Sequence, residues 1–515
     1  MTENISKRTG RSRKALNNTV AAFLSELVSI VCGLILPRLI LTAFGSDYNG
    51  ITSSVARFIS LISVLNVGIS AAARSMFYEP LAKGDKHEIS RVLAITERST
   101  RKIAYALVVF ATVLALSYSA VVDDTFDLNF TASLILIMSA AAFSQYFVAL
   151  PYEILLYADQ KHSIVSFINA GNTVLSTLCA VAIVGSGGTI HMVKLASVVV
   201  SIGAAFLLRN AARKKYGIIK MPVGKNEKLV GRRYAIGQGI SDYVNSNVDV
   251  VVLSLFSGLK QVSVYSVYSM VITATSNIIV NVISSFGAAF GNMNAKKEYD
   301  LMRDNMRLYE LIVFSMASVI FSVTLALIVP FAKLYTSGIT DVSYDVPAFA
   351  FVLVLAAEFM SFRIPYETVT KAVGHFKQTR VGAYVEAGLN LIISVAAVFK
   401  FGLVGVAMGT LFSAAVRSFD YAFYFGKHII KRSYGRFIGN VFRCLAETLL
   451  VYVLAGRFTN QITNWGQWIL TACILTITSS LIVLAIDYIF YRRDLELLIR
   501  KLRTVTGRRK AINYD

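Results

Sequence analysis

The sequence predicts an all-α polytopic membrane protein of about 14 transmembrane helices: two six-helix lobes in parallel pseudo-two-fold repeat, followed by two C-terminal helices. Three observations predict it. Of 515 residues, 55% are apolar and only 16% charged, whereas soluble domains carry roughly 25% charged residues. Fourteen apolar stretches are long enough to cross about 30 Å of hydrocarbon at about 1.5 Å per residue. And 40 of the 51 Lys and Arg residues collect on one side of those stretches.

The first stretch, 16–41, is too long for a cleaved signal and contains Pro37 and Arg38, so it reads as an uncleaved signal-anchor. Spans at 50–78, 103–122, 131–157, 163–184 and 190–208 follow, each bounded by charged or glycine-rich turns. After a basic segment come 234–256, the most polar of the set, then 262–289, 308–331, 346–370, 382–399 and 404–425. Spans 437–456 and 467–491 complete the series. The implied domains are a basic N-terminus 1–15, a lobe 16–210, a basic linker 211–233, a lobe 234–427, a helix pair 428–491 and a basic tail 492–515.

An even number of spans puts both termini on one side. The opposite loops hold only Lys260, Lys333, Lys400 and Arg457, and seven cations lie within spans: Arg38, Arg57, Arg74, Lys194, Arg363, Arg417 and Arg443. Basic residues are retained on the cytoplasmic side, so both termini are expected there. The net charge of +21 is then an orientation label, and no nucleic-acid partner is needed to explain it. The linker region 209–233 carries nine Lys and Arg, suited to anionic membrane lipids and secondarily to docking a partner protein. The four cysteines all fall in apolar spans without CxxC spacing and read as small apolar fillers.

The chain also matches itself. Pro151-Tyr152-Glu153 recurs as Pro365-Tyr366-Glu367 at an offset of 214, and Ala170-Gly171, Gly185 and Gly188 recur as Ala387-Gly388, Gly402 and Gly405 at 217. Near 213, Gly45 and Ser53 match Gly258 and Ser266. Six helices separate the copies, so both have the same orientation and the repeat is parallel, the plan of an alternating-access transporter. The five histidines are scattered, and there is no DxD and no phosphate loop, so no catalytic constellation and no enzyme is expected; no metal site is expected either.

Several motifs resemble a known family. Asn247-Val248-Asp249 leading to Ser254, then Tyr265-Ser266 and Tyr268, resembles the "TDxxIIS…VGxYSxY" signature of polysaccharide flippases in the multidrug/oligosaccharidyl-lipid/polysaccharide exporter superfamily. Pro80-Leu81-Ala82, Ala158-Asp159-Gln160, Gly291-Asn292, Ala372-Val373-Gly374 with Arg380, Asn390, Ser394, Gly402, Gly405, Gly409-Thr410 and Ser413 extend the likeness to the Wzx-type, O-antigen group over almost the full length. Asn66 stands where relatives often carry an acidic residue. The resemblance implies export of an undecaprenyl-diphosphate-linked oligosaccharide from the inner to the outer leaflet of a bacterial plasma membrane, for capsule, exopolysaccharide or O-antigen assembly. A polysaccharide polymerase and glycosyltransferases are the implied partners. A lipid II flippase and a cation-coupled multidrug exporter are the alternatives within the superfamily; a membrane glycosyl- or acyltransferase is the alternative outside it.

Charges inside the membrane bear on that function, since a mid-helix cation facing lipid costs about 3 kcal/mol. Arg363 with Glu367, Arg417 with Asp420 and Arg443 with Glu447 are spaced to pair on one helix face. Arg38, Arg57, Arg74 and Lys194 have no such neighbour and share their lobe with only Glu26 and Glu153. They are the candidate substrate-binding cations, at several depths, because an Arg fork binds phosphate oxygens bidentately. Arg38 and Arg57 are placed two turns or less from the outer ends of their spans, and Arg74 about 25 Å further down. The second lobe is acidic, with Asp242, Asp249, Glu310, Glu358, Glu367, Glu386 and Asp420. Asp242, Asn245 and Asp249 share one helix face and, with Glu386, are the candidate coupling site for Na⁺ or H⁺; no other cofactor is expected.

Overall fold

A computed structural model describes residues 28–122, 125–222, 224, 232–283, 286–375, 377–459 and 461–512, with 232–242, 288 and 501–512 described by backbone alone. Every regular element among them is a helix. In chain order they are α1 (Val28–Phe44), α2 (Ser46–Ser60), α3 (Ser63–Lys83), α4 (Lys86–Val121) and α5 (Leu128–Ser144), which runs through a π-turn into α6 (Leu150–Ala158). Next come α7 (His162–Gly185), α8 (Ile190–Tyr216), α9 (Arg232–Phe256), α10 (Leu259–Ile283) and α11 (Phe286–Ala295). The remainder are α12 (Tyr299–Tyr335), α13 (Pro347–Phe362), α14 (Ile364–Ala372), α15 (Arg380–Phe401), α16 (Leu403–His428), α17 (Gly435–Thr459) and α18 (Trp465–Ile512).

Among the described residues eleven helical spans are long and apolar enough to cross a membrane, and α2 with α3, bent by 44°, make a twelfth if counted as one span. The apolar helices Val28–Phe44 and Tyr243–Phe256 are the described parts of the expected first and seventh spans. The chain is a multi-pass membrane protein. Three helices outrun the hydropathy that announced them. α4 starts at Lys86 rather than near 103, α12 at Tyr299 rather than near 308, and α18 continues beyond 491. Hydropathy marks only the part of a helix that needs hydrocarbon, whereas the backbone stays helical until something stops it. For α4 the start is Asp85, whose carboxylate accepts the amides of His87 (3.0 Å) and Glu88 (3.1 Å), just after Gly84 closes α3 at φ 68°. In α18 the helical path is interrupted at Tyr491 (φ −128°, ψ 29°), where the apolar stretch also ends.

The two repeat copies share their irregularities. Gly45 (φ 95°) precedes α2 and Gly258 (φ 82°) precedes α10, turns that an L side chain rarely adopts. Pro151 enters α6 directly after the π-turn Gln145–Ala149, and Pro365 enters α14 just after the break at Arg363. Proline has no N–H to give the preceding turn, so in both copies the fourth span breaks at the same point.

By contacts the chain divides inside α10 into two compact units: Met1–Ser266 with Gly338–Val342, and Val267–Ser337 with Ser343–Asp515. In the first, α5 packs between α4 and α8, α7 lies on α8, and α9 packs on α2 and α3. Val55, Ile69, Phe77, Leu107, Leu134 and Leu155 are among its buried core. The short segment Gly338–Val342 caps α2: Asp341 accepts the amide of Ser46 at 2.8 Å and its hydroxyl at 2.7 Å. Partial burial pushes the Asp341 carboxyl up, but the two Ser46 bonds, with Lys260 nearby, outweigh it and hold the group below its usual range.

In the second unit α12 is central, packing on α13, α17 and α18, while α15 and α13 each pack on α16. Burial follows that order: 61% of the apolar window of α12 is buried, against 17% for α18. The outward face of α18 is the apolar surface of a lipid-facing helix.

Candidate functional site

Arg57 lies eleven residues past Ser46, about 16 Å along α2, just before the bend into α3. That is deeper than the two turns expected, because the chain turns at Gly45 and α2 begins four residues before residue 50. Its Nη1 donates to Asn247 Oδ1 on α9 at 3.2 Å, and Ser60 Oγ donates to the same oxygen at 3.3 Å. Tyr243 Oη donates to the Arg57 carbonyl at 2.8 Å, and Asn247 Nδ2 donates to the Tyr243 carbonyl at 3.1 Å. The amide is thereby fixed with its oxygen toward the guanidinium. These contacts orient Arg57 without neutralising it: among the described residues no carboxylate lies within ion-pair distance.

Arg74, on α3, is half-buried, its Nε has no hydrogen-bond partner, and its guanidinium lies over the Tyr157 ring with 5.7 Å to the centroid. The His162 ring packs against the same tyrosine at 4.7 Å. Lys194, on α8, is half-buried and also lacks a carboxylate partner among the described residues. Arg38 is half-buried on α1. Glu26 lies outside the described residues, and Glu153 does not compensate these cations. Its Oε2 accepts Gln145 Nε2 at 3.0 Å beside a cavity of about 90 Å³ lined by Ser144, Asn169, Asn172 and Ser201. Gln145 opens the π-turn, so the helix irregularity is what aims its amide at Glu153.

The expected coupling face is only partly visible. The Asp242 side chain lies outside the described residues. Asn245 Oδ1 is buried without a hydrogen-bond partner, and Asp249, 4% exposed, accepts Tyr265 Oη at 2.8 Å. Both belong to the first unit, whereas Glu386 belongs to the second and is taken by arginines. Arg363 Nη1 binds its Oε1, and Arg417 Nε lies 3.6 Å from its Oε2.

All three helix-face pairs expected in the second unit form: Arg363 with Glu367 (3.4 Å), Arg417 with Asp420 (2.5 Å) and Arg443 with Glu447 (3.7 Å). Each arginine also reaches a second carboxylate far away in sequence, Glu386 for Arg363 and Arg417, and Asp487 for Arg443. Arg417 is further held by the Thr379 carbonyl (3.0 Å) and stacks on Tyr421 at 4.0 Å. Arg363, Arg417 and Arg443 of the second unit are each paired with carboxylates, whereas Arg57 and Arg74 of the first have no carboxylate partner among the described residues. The sequence motif contained Asn247 but assigned it no task, and Tyr243 carried no signal. Their positions opposite Arg57 come from the packing of α2 on α9.

No group of three or more His, Cys, Asp or Glu placed to hold a metal occurs among the described residues. No family model and no curated protein matches the chain. Solved structures do. The chain is similar to the lipid II flippase MurJ in an inward closed conformation (TM-score 0.71, 16% identity, covering 93% of this chain and 99% of that one). It is also similar to an inward-facing multidrug resistance MATE transporter of the MOP superfamily (0.64, 10%, 83% and 98%). A Vibrio cholerae MATE transporter, VcmN, is similar as well (0.58, 13%, 83% and 98%). At these identities the likeness establishes the fold: this chain folds as the MOP-superfamily transporters do.

Proposed function

We propose that the chain is a flippase that moves a polyprenyl-diphosphate-linked oligosaccharide from the inner to the outer leaflet of a bacterial plasma membrane by alternating access. The observation that carries this reading is Arg57, oriented in mid-span by a neutral amide and, among the described residues, left without a carboxylate. An ionised guanidinium in that position is justified by an anionic ligand, and its planar fork fits two phosphate oxygens. Arg74 and Lys194, similarly uncompensated, extend the cationic surface to other depths, with Arg38 on α1. The sugar is supplied for capsule, exopolysaccharide or O-antigen assembly. Glycosyltransferases on the cytoplasmic side and a polymerase on the other are the partners, both termini are cytoplasmic, and the protein makes or breaks no covalent bond.

The fold of a lipid II flippase supports a second reading in which the saccharide is the peptidoglycan precursor; the diphosphate chemistry is shared, and only the saccharide differs. Asp249 and Asn245 are proposed to bind the coupling cation, with Glu386 acting on the Arg363–Arg417 pair. The test is flipping of fluorescent polyprenyl-diphosphate saccharides by purified protein in proteoliposomes. The reading requires outward transfer of the lipid-linked oligosaccharide, reduced at least tenfold by Arg57→Ala. Transfer of lipid II alone selects the second reading, and transfer of neither refutes both.

A further inference from the structure

We propose that Glu447 and Glu358 of the second unit form a proton-binding site, loaded through the cavity between α17 and α18. The cavity encloses about 460 Å³; Leu450, Ile486 and Phe490 wall it, and Arg443, Glu447 and Tyr491 make its polar end. Arg443 is committed to Asp487, which also accepts Ser315 Oγ at 2.5 Å. Behind Glu447, the adjacent Thr448 donates from Oγ1 to Glu358 Oε1 at 2.8 Å. Glu358 is fully buried on α13 and Glu447 is 1% exposed.

Oε2 of Glu358 has no hydrogen-bond partner, and Glu447 has no charged partner nearer than Arg443 Nε, 3.7 Å from its Oε1. The charges do not balance either. Arg443 pairs with Glu447 and Asp487, and Glu358, held by Thr448, makes a third carboxyl with no cation of its own among the described residues. Among the described residues the neighbouring elements supply no second free cation. α12 presents Ser315, Ser318 and Glu310, the last held by Arg432 and Arg436, and Arg436 is further bound to Asp494 at 2.6 Å. α18 presents Asp487 and Tyr491, and α17 itself adds only Cys444, which donates to the Phe314 carbonyl at 3.5 Å.

With one guanidinium among three carboxylates, two negative charges are left over in a dehydrated membrane interior, which is costly, and two protons remove them. Protonation also turns acceptor-only groups into donors, and the Ser318 hydroxyl beside Glu447 is able to accept as well as donate. Two protons leave the cluster neutral. The sign of the charge argues against a phosphate headgroup in the same place. Glu447 lines the cavity and exchanges first; Glu358 is reached only past Thr448. Because α13 ends at Arg363, the charge of Glu358 acts on the helix that positions the Arg363–Glu386–Arg417 cluster. What the proton drives depends on the transporter reading above; that it binds does not.

Dicyclohexylcarbodiimide reacts with protonated carboxyls in apolar surroundings, and its adducts can be mapped by mass spectrometry on the full wild-type chain in native membranes. The expected result is labelling of Glu447 at neutral pH, falling about tenfold per pH unit once the site titrates, and unaffected by Na⁺ at constant pH. Absence of label on Glu447 overturns the proposal, as does label displaced by Na⁺. Glu447→Gln, a neutral mimic, should fold and lose the adduct; if it fails to fold, the proton is not the native occupant. Flipping without Glu447 labelling refutes this site alone, and labelling without flipping refutes the transport reading alone.

Discussion

The close approach of α15 and α16 can be tested with one methyl group. A Cβ at Gly409 would lie on Ser394 Oγ, 2.8 Å from the Ser394 nitrogen and 2.9 Å from the Asn390 carbonyl oxygen. Ordinary contact begins at 3.4 Å, so the two backbones must part by about half an ångström or the helices must shift. Such overpacking costs about 1–3 kcal/mol. The Ser394 hydroxyl would also be pushed from Asn390 Oδ1 and the Val406 carbonyl, to which it donates at 3.0 and 3.2 Å. Gly388, on the same α15, has nothing within 4 Å of its Cβ position. Both substitutions to Ala gain about 1 kcal/mol of helix propensity, so the difference between them isolates the packing. Gly409→Ala should be about 1–3 kcal/mol less stable than Gly388→Ala, roughly a 5- to 150-fold change in the unfolding equilibrium. The assay is SDS unfolding in mixed micelles followed by fluorescence of Trp465 and Trp468, the only tryptophans, both in the second unit. Equal midpoints would refute the claim that small residues set this helix contact.

Arg417→Ala leaves Glu386 and Asp420 without their shared cation at a 2% exposed position, and should cost about 3–5 kcal/mol in the same unfolding assay. Arg57→Ala removes one hydrogen bond to Asn247 and no ion pair, so it should lower stability by no more than about 2 kcal/mol while reducing flipping at least tenfold; a stability loss as large as that of Arg417→Ala would mark it as structural. Asp341→Ala should cost about 1 kcal/mol through loss of the cap on Ser46. Because the folded carboxyl is held low, that contribution is full above its ordinary titration range and is lost as pH falls through the depressed value; a wild-type minus Asp341→Ala difference that grows on acidification would contradict the assignment.

The spans were legible because the need for about 20 apolar residues is a local property of the chain. Pairs such as Arg417 with Asp420 were legible for the same reason, their spacing placing them on one helix face. What escaped was whatever depends on two helices meeting. Asp487 reaches Arg443 from another helix, Glu386 bridges two arginines on different helices, and Asn247 meets Arg57 across 190 residues. No periodicity encodes those distances. The breaks in the fourth span of each copy were half-legible: Pro151 and Pro365 announced themselves as repeat matches, but the π-turn before α6, and the aim it gives Gln145, belong to the folded backbone alone.

The contrast between the two sets of intramembrane arginines constrains function more tightly than any single contact. An unpaired cation at mid-helix costs about 3 kcal/mol on insertion scales, and a chain selected only for stability would remove it or supply a carboxylate. The second unit did supply them, two for each of Arg363, Arg417 and Arg443. In the first unit α9 places an amide, Asn247, against Arg57, although Asp249 stands two residues away and instead accepts Tyr265 Oη. A carboxylate there would stabilise the resting protein but would compete with any anion for the same guanidinium. If the vacancy is functional, Asn247→Asp should raise stability in detergent and depress flipping together. A variant that gained stability and kept full transport would show that Arg57 does not hold the diphosphate.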